Sequence, residues 1–247
     1  MIPDLELVLS HLEQHYMVIK ELGQGGASVV YLVQEKQGSR RYAAKLFSDM
    51  SNGLHEAWIL QNIHHPLAPS FHQLLTLENT ACMIMDYVEG MPLHEYCQEE
   101  QPSLSQIFLW VKQMAYFFQY LHSLPTPIYY LDLKPDNLIV LSNGNLKLID
   151  YNAACFEKEG QVRFGTRGYA PQEMYDTKES VGSFSDRFTL GRLIGYLRQR
   201  RKKKWFCTPR ELKQLGVLWL LQRLCLNDFM RKRVMTDKLV ICLCERG

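Results

Sequence analysis

The stretch "YYLDLKPDNLIV", residues 129–140, sets a carboxylate, an ammonium and an amide within six residues: Asp132, Lys134 and Asn137. A second carboxylate, Asp150 in "LKLIDYN", follows thirteen residues after Asn137. The carboxylates and the amide are hard oxygen ligands or proton acceptors of the kind magnesium chemistry requires. Nearer the N-terminus, Gly23, Gly25 and Gly26 lie in "LGQGGASVVYLV". Such a loop lets backbone N–H groups approach phosphate oxygens with no Cβ in the way. Lys45 in "YAAK" and Glu56 in "HEAWILQNIHHP" add an oppositely charged pair. Taken singly, each has a plainer reading: a coincidental Asp, a hairpin turn, a surface pair worth under about 1 kcal/mol. The ordered set carries the argument.

Those residues need elements to hold them. Apolar residues at helical spacing predict a short leading helix over 3–14. From Tyr16 the chain alternates, breaks at the glycines and alternates again, which reads as strand, loop and strand. "RRYAAKLF" is a third strand, and "LLTLENTACMIMDYV" gives two more around a Glu78-Asn79 turn. Between them a helix places Leu54, Ala57, Trp58 and Leu60 on one side. After "EGMPL" the character turns helical, and "SLSQIFLWVKQMAYFFQYLHSL" is apolar enough to be buried on most sides. Short strands over 138–141 and 146–149 flank the "SNGN" turn. From Ser185 onward the pattern is helical again, and Thr208-Pro209-Arg210-Glu211 has the form of a capping box with Pro at the first helical position.

From about residue 16 to residue 236 this order resembles the protein kinase superfamily, with wording closest to the Ser/Thr kinases common in bacteria. The resemblance implies an α+β, two-lobed fold: a small antiparallel sheet with one main helix, then a larger, mostly helical lobe. It implies one kinase domain over 1–247, with the N-lobe at 1–86 and a C-lobe at 87–247 whose C-terminal part is short. It implies ATP and Mg²⁺ as cofactors. Leu22, Gly23, Gly25, Gly26, Val30, Ala43, Met85 and Ile139 would surround the nucleotide, Met85 at the gatekeeper position, and the backbone of Asp86 to Val88 would meet adenine. Lys45, paired with Glu56, would hold the α- and β-phosphates. Asp132 would accept or orient the proton of the substrate hydroxyl. Lys134 would neutralise charge on the transferred group, and Asn137 and Asp150 would ligate the metal. Thr166 in "GTRGYAPQE" would sit near Asp132 and Lys134. Glu173 would pair with Arg233, and Asp186 would brace the catalytic loop.

The departures are local. Tyr130 stands where the family has His and Tyr151 where it has Phe; each keeps aromatic bulk, and a buried phenol needs a hydrogen-bond partner. Asn152 replaces a glycine and tolerates left-handed backbone angles. Leu131 replaces the arginine that gathers an activation-segment phosphate. Between Asp150 and Glu173 the only Ser/Thr hydroxyl is Thr166. The expectation is activity that does not depend on phosphorylation of that segment. Residues 208–215 could be a stub of the family's substrate-docking helix.

A hydrophobic fraction of 47% with 22% charged residues describes an ordinary globular chain. A formal net charge of +2 gives no case for nucleic acid or a membrane surface. The basic run Arg198 to Lys204 reads first as a solvated loop, and more sharply as a docking patch for an acidic or phosphorylated partner. Seven scattered cysteines read as reduced thiols in a cytoplasmic protein. The N-terminus has no signal-like pattern, and no apolar run approaches the roughly 20 residues of a membrane span. The reading is a Ser/Thr protein kinase acting on protein substrates. A nucleotide-binding pseudokinase, or a small-molecule phosphotransferase of similar fold, is the alternative.

Overall fold

The alternation that begins at Tyr16 folds as a five-stranded antiparallel sheet. In the computed structural model, which describes residues 5–77, 79–157, 166–175, 180–202, 208–226 and 237–246, the chain forms two compact units, 1–89 and 90–247. The first holds helix α1 (Leu5–His15), β1 (Tyr16–Gln24), β2 (Ser28–Glu35), β3 (Arg41–Phe47), α2 (Met50–Gln61), β4 (Phe71–Leu77) and β5 (Thr80–Asp86). The strands lie in the order β1-β2-β3-β5-β4. Because successive side chains point to opposite faces, Ala44, Leu46, Cys82 and Ile84 share one face and pack with Val8 and Leu12 of α1. Burying an aliphatic side chain of this size contributes about 1.5–3 kcal/mol. That face is a core, which leaves Ala43 and Lys45 for the other.

Helix α2 packs against β3, β4 and β5. Asp49 caps it, accepting the Ser51 N–H at 2.7 Å. Its buried residues are Gly53, Glu56, Ala57, Ile59 and Leu60. This corrects the expected face: Leu54 and Trp58 are about half exposed. The helix approaches the sheet through its small residues, and a Cβ on Gly53 would come within 2.5 Å of the Ala81 Cβ.

The second unit begins with β6 (Met91–Pro92), α3 (Leu93–Glu99) and α4 (Leu104–His122). As expected, α4 is buried on most sides, with Ile107, Trp110, Val111, Met114, Phe117, Phe118 and Leu121 inside. Strand β7 (Ile128–Tyr129), a 3-10 turn at Pro135–Asn137, β8 (Leu138–Val140), β9 (Leu146–Leu148) and β10 (Cys155–Phe156) carry the loops of interest. The turn between β8 and β9 uses Gly144 at φ +80°, and its carbonyl accepts from Gln106 Nε2 and Trp110 Nε1 at 2.6 and 2.8 Å. So α4 fixes the hairpin, and the hairpin fixes what precedes and follows it.

Helices α5 (Ser183–Arg200), α6 (Pro209–Cys225) and α7 (Asp237–Arg246) complete the unit. The capping box at Thr208 and Glu211 forms as expected, with reciprocal bonds at 3.2 and 2.9 Å. The helix then runs on to Cys225 instead of stopping as a stub at 215. The described cysteines are free thiols. Among the described residues no helix is long and apolar enough to cross a membrane.

Candidate active site

The first unit gathers its site residues by strand register. Gly23 faces Val30, Val30 faces Lys45 and Lys45 faces Met83. Ala43 faces Met85 on the same side. One face therefore carries Val30, Ala43, Lys45 and Met85, opposite the face covered by α1. Lys45 Nζ donates to both Glu56 oxygens at 2.7 Å. Lys45 is 3% exposed and Glu56 0%, a dry pair in which each charge is needed by the other. At the edge, a Cβ on Gly23 or Gly26 would meet nothing within 4 Å, and neither residue has a positive φ. The fold itself does not demand glycine at those two positions, so the bare backbone is open to a ligand. Leu22 is exposed beside them, and Tyr87 and Val88 are half-buried.

Asp86 proved more than a carrier of backbone groups. Its Oδ1 accepts from His72 Nε2 at 2.7 Å and Arg40 at 3.3 Å, and its Oδ2 accepts the Ser70 N–H at 3.1 Å. Burial pushes its pKa up, but the His72 and Ser70 hydrogen bonds outweigh it and pull the carboxyl down to about 2. No sequence signal marks this cluster, since its members come from separated positions on β4, β5 and the turn before β3.

In the second unit the catalytic-loop residues converge on Asp132. Its Oδ1 accepts from the Thr166 hydroxyl at 2.6 Å. Its Oδ2 accepts from Lys134 Nζ at 2.7 Å and Asn137 Nδ2 at 3.0 Å. Lys134 also donates to Thr166 Oγ1 at 2.8 Å. Asn137 donates a second bond to the Asp132 carbonyl at 2.9 Å. With its amide nitrogen spent on Asp132, the acceptor left to Asn137's side chain is a hard oxygen. The Ile149 N–H donates to the Asn137 carbonyl at 3.1 Å, bringing Asp150 alongside. Ile139 follows on β8, buried. Two oxygen donors, one anionic and one neutral, suit a divalent magnesium ion.

The two aromatic departures hold Asp150 in place. Tyr130 is fully buried, and its hydroxyl donates to the Asp150 carbonyl at 2.7 Å. Its ring meets Tyr151 edge-on, 5.4 Å between centroids at 81°. Burial holds the Tyr130 phenol well above its usual pKa, with Tyr151, Asp150 and Asp132 adding to the effect, so it remains a donor. Asn152 does not use a left-handed angle: among the described residues only Gln101 and Leu131 are non-glycines at positive φ. Asn152 instead turns its N–H back to Asp150 Oδ1 at 3.2 Å, a local side-chain turn.

Leu131 is the strained residue, at φ +67°. The Asp132 N–H donates to the Tyr130 carbonyl at 3.0 Å, closing a three-residue turn around it. Such a backbone costs about 1–3 kcal/mol and needs outside support. Asp186 supplies it, accepting the Tyr130 and Leu131 N–H groups at 3.0 and 2.7 Å. His122 Nε2 lies 2.8 Å from the same carboxylate, a partner that no motif marks. The Leu131 side chain packs with Tyr129, Cys155 and Met174, flanked by Ala170 and Val181. Further along, β10 pairs with β7, and Tyr129 donates to Glu157 at 2.8 Å. Glu173 accepts from Ser185 at 3.0 Å; its expected partner Arg233 lies outside the described residues.

Comparison with known proteins gives the family. The family model for the protein kinase domain matches residues 16–213. Maternal embryonic leucine zipper kinase of Danio rerio is 27% identical over 198 residues, covering 75% of this chain and 29% of that protein. Rhodopsin kinase grk7-a of Xenopus laevis is 30% identical over 183 residues, covering 68% and 33%. Serine/threonine-protein kinase 32C of Mus musculus is 27% identical over 181 residues, covering 68% and 37%. The chain thus spans about a third of the length of these curated relatives. With that match extending from β1 into α6, the chain belongs to the protein kinase superfamily.

Proposed function

We propose that the chain transfers the γ-phosphoryl group of ATP to Ser or Thr hydroxyls of protein substrates. The observation that carries this reading is the Asp132 carboxylate, held at both oxygens by Lys134, Asn137 and Thr166. Such a base is pre-aimed, and positioning is most of what phosphoryl transfer asks of a protein. Asp132 takes the proton of the attacking hydroxyl as its oxygen bonds to the γ-phosphorus. The bond from that phosphorus to the bridging oxygen breaks, and ADP carries away the electron pair. Lys134 offsets charge on the moving group. Lys45, set by Glu56, holds the α- and β-phosphates beneath backbone N–H groups at Gly23, Gly25 and Gly26. Leu22, Val30, Ala43 and Met85 of the first unit and Ile139 of the second are assigned to apolar contact with the base, and the Asp86–Val88 backbone to its polar edge. Asn137 and Asp150 would hold magnesium, which supplies charge neutralisation at the phosphate oxygens when bound.

The same reading holds that activity needs no phosphate on the activation segment. Leu131 cannot gather one, and strand pairing, the Tyr129–Glu157 bond and the Leu131 cluster hold the described ends of that segment instead. The basic run is partly spoken for: Arg198 donates to Gln222, and the Lys202 N–H donates to the Pro102 carbonyl. Lys203 and Lys204 lie outside the described residues.

The test is label transfer from γ-³²P ATP with magnesium, comparing wild type with Asp132→Asn and Asp150→Asn. Transfer to Ser and Thr that both variants lose supports the proposal. ATP binding with no transfer across a broad substrate panel would make the chain a pseudokinase. Loss of activity on phosphatase treatment of an active preparation would remove the claim of phosphate independence.

A further inference from the structure

The end of β5 is held by side chains that the transfer chemistry leaves unused. Tyr42 faces Asp86 as the outermost pair of the β3–β5 ladder. Beyond it the chain leaves the sheet, and among the described residues no turn or loop bond holds the Tyr87 or Val88 backbone. A strand end of this kind frays unless something ties it down. Asp86 is tied twice to one residue. Its N–H donates to the Ser70 carbonyl at 3.0 Å, and its Oδ2 accepts the Ser70 N–H at 3.1 Å.

Strand β4 adds a third contact through an irregularity. Phe71 faces Met85, but the next pair is Gln73 with Ile84, so His72 is an extra residue in β4. A bulge re-aims the side chain it carries. The His72 ring is turned edge-on to Tyr42, 5.0 Å between centroids at 80°, and its Nε2 reaches Asp86 Oδ1 at 2.7 Å. Tyr42 in turn donates its hydroxyl to Glu35 Oε1 at 2.7 Å. Contacts therefore run from β2 through β3 and β4 to the last residue of β5. Arg40, 3.3 Å from Oδ1 and 61% exposed, is the weakest member.

Adenine carries a donor at position 6, where guanine carries an acceptor. A backbone carbonyl fixed in place accepts from the first and repels the second. A backbone free to turn can offer an N–H instead, and the distinction is lost. Discrimination of this kind needs polar groups that cannot rearrange to suit the wrong ligand.

We propose that His72 and Asp86 are positioning residues for the nucleotide base: the β4 bulge aims His72 at the Asp86 carboxylate, and the clamp so formed fixes the 86–88 backbone and sets a preference for adenine over guanine. This rests on the reading of residues 86–88 as the base-contacting backbone, and it needs no phosphate transfer.

The test is binding of mant-labelled ATP and GTP to the full chain with magnesium, read by fluorescence titration. The wild type should prefer ATP. His72→Phe keeps a ring against Tyr42 and removes the donor, while Asp86→Ala removes the acceptor. Each should cut the ATP-over-GTP affinity ratio about tenfold, through weaker ATP binding. His72→Gln, whose amide can stand in for Nε2, should keep most of the ratio. Thermal melts report on folding, and if Asp86→Ala does not fold the two His72 variants decide alone. Equal weakening of ATP and GTP would mark the clamp as structural only and overturn the proposal. So would an unchanged ratio in folded His72→Phe. A wild type that binds neither nucleotide would remove the ATP reading and this proposal together. ATP-selective binding that the variants lose, with no transfer to any protein, would leave the clamp standing and remove the phosphotransfer reading alone.

Discussion

The Lys45–Glu56 pair and the Asp132 cluster hold charge in opposite ways. The pair is dry, at 4% and 0% side-chain exposure, and one ammonium meets both oxygens of one carboxylate. The cluster is partly wet, at 15% for Asp132 and 20% for Lys134, and three side chains donate to one carboxylate. A buried pair rests on mutual neutralisation, so losing one member strands the other charge. A carboxylate with several donors rests on redundancy, so losing one donor leaves the rest. The first arrangement makes the position of α2 a condition of the site; the second makes Asp132 hard to misplace.

Breaking the pair should give the largest change. Glu56→Ala should lower unfolding free energy by about 3–5 kcal/mol, read as a fall in the urea midpoint. The apolar double variant Lys45→Met/Glu56→Leu should recover most of it. A loss under about 1 kcal/mol for the single variant would erase the contrast. Next comes Tyr130→Phe, which takes the phenol donor from the Asp150 carbonyl and should cost about 1–3 kcal/mol in the same assay. Thr166→Ala should cost less, about 1 kcal/mol. Because Lys134 and Asn137 still hold Asp132, its kcat should fall by less than about tenfold, against about 10²–10⁴ for Asp132→Asn. A fall as deep as that of Asp132→Asn would show that the cluster is not redundant.

The smallest effect concerns pH. The Asp86 carboxyl lies at about 2 in the folded chain, below its ordinary value near ~3.9. A depressed carboxyl gives stability that is full above the ordinary value and is lost as pH falls toward the folded one. Asp86 is partly exposed, so solvent screens the gain. Between pH 5 and pH 2 the wild type should lose slightly more urea resistance than Asp86→Asn. Parallel curves would show that the His72 and Ser70 contacts contribute nothing.

Much of the site was legible because kinase chemistry fixes residue types at fixed spacing: Lys45, Glu56, Asp132, Asn137 and Asp150 can be read in order without knowing the fold. The strand pattern around them was equally plain, since the sheet alternates between a face covered by α1 and the face that carries Val30, Ala43 and Lys45. What stayed hidden has physical reasons. The buried face of α2 includes Gly53 and Ala57, which carry little hydrophobic signal, beside Ile59 and Leu60, while Leu54 and Trp58 advertise a face that is exposed. The partner of Tyr130 is a backbone carbonyl, which every residue has and no pattern reveals. Asp186 can be read as a brace, but not the Tyr130 and Leu131 N–H groups it accepts from, 56 and 55 positions before it; residue type points to Asn152, not Leu131, for a left-handed angle.

Leu131 also bears on whether the proposed phosphate-independent control could be exchanged for another. Its side chain is fully buried among Tyr129, Cys155 and Met174. An arginine at this position would carry a guanidinium into an apolar space, at a residue whose backbone is already strained, so the single change would be selected against before it could meet a phosphate. Acquiring a phosphate-gated switch would require the surrounding cluster to be rebuilt at the same time, together with a new hydroxyl on the segment. In evolutionary terms the position is entrenched: its neighbours have become the reason it cannot easily change.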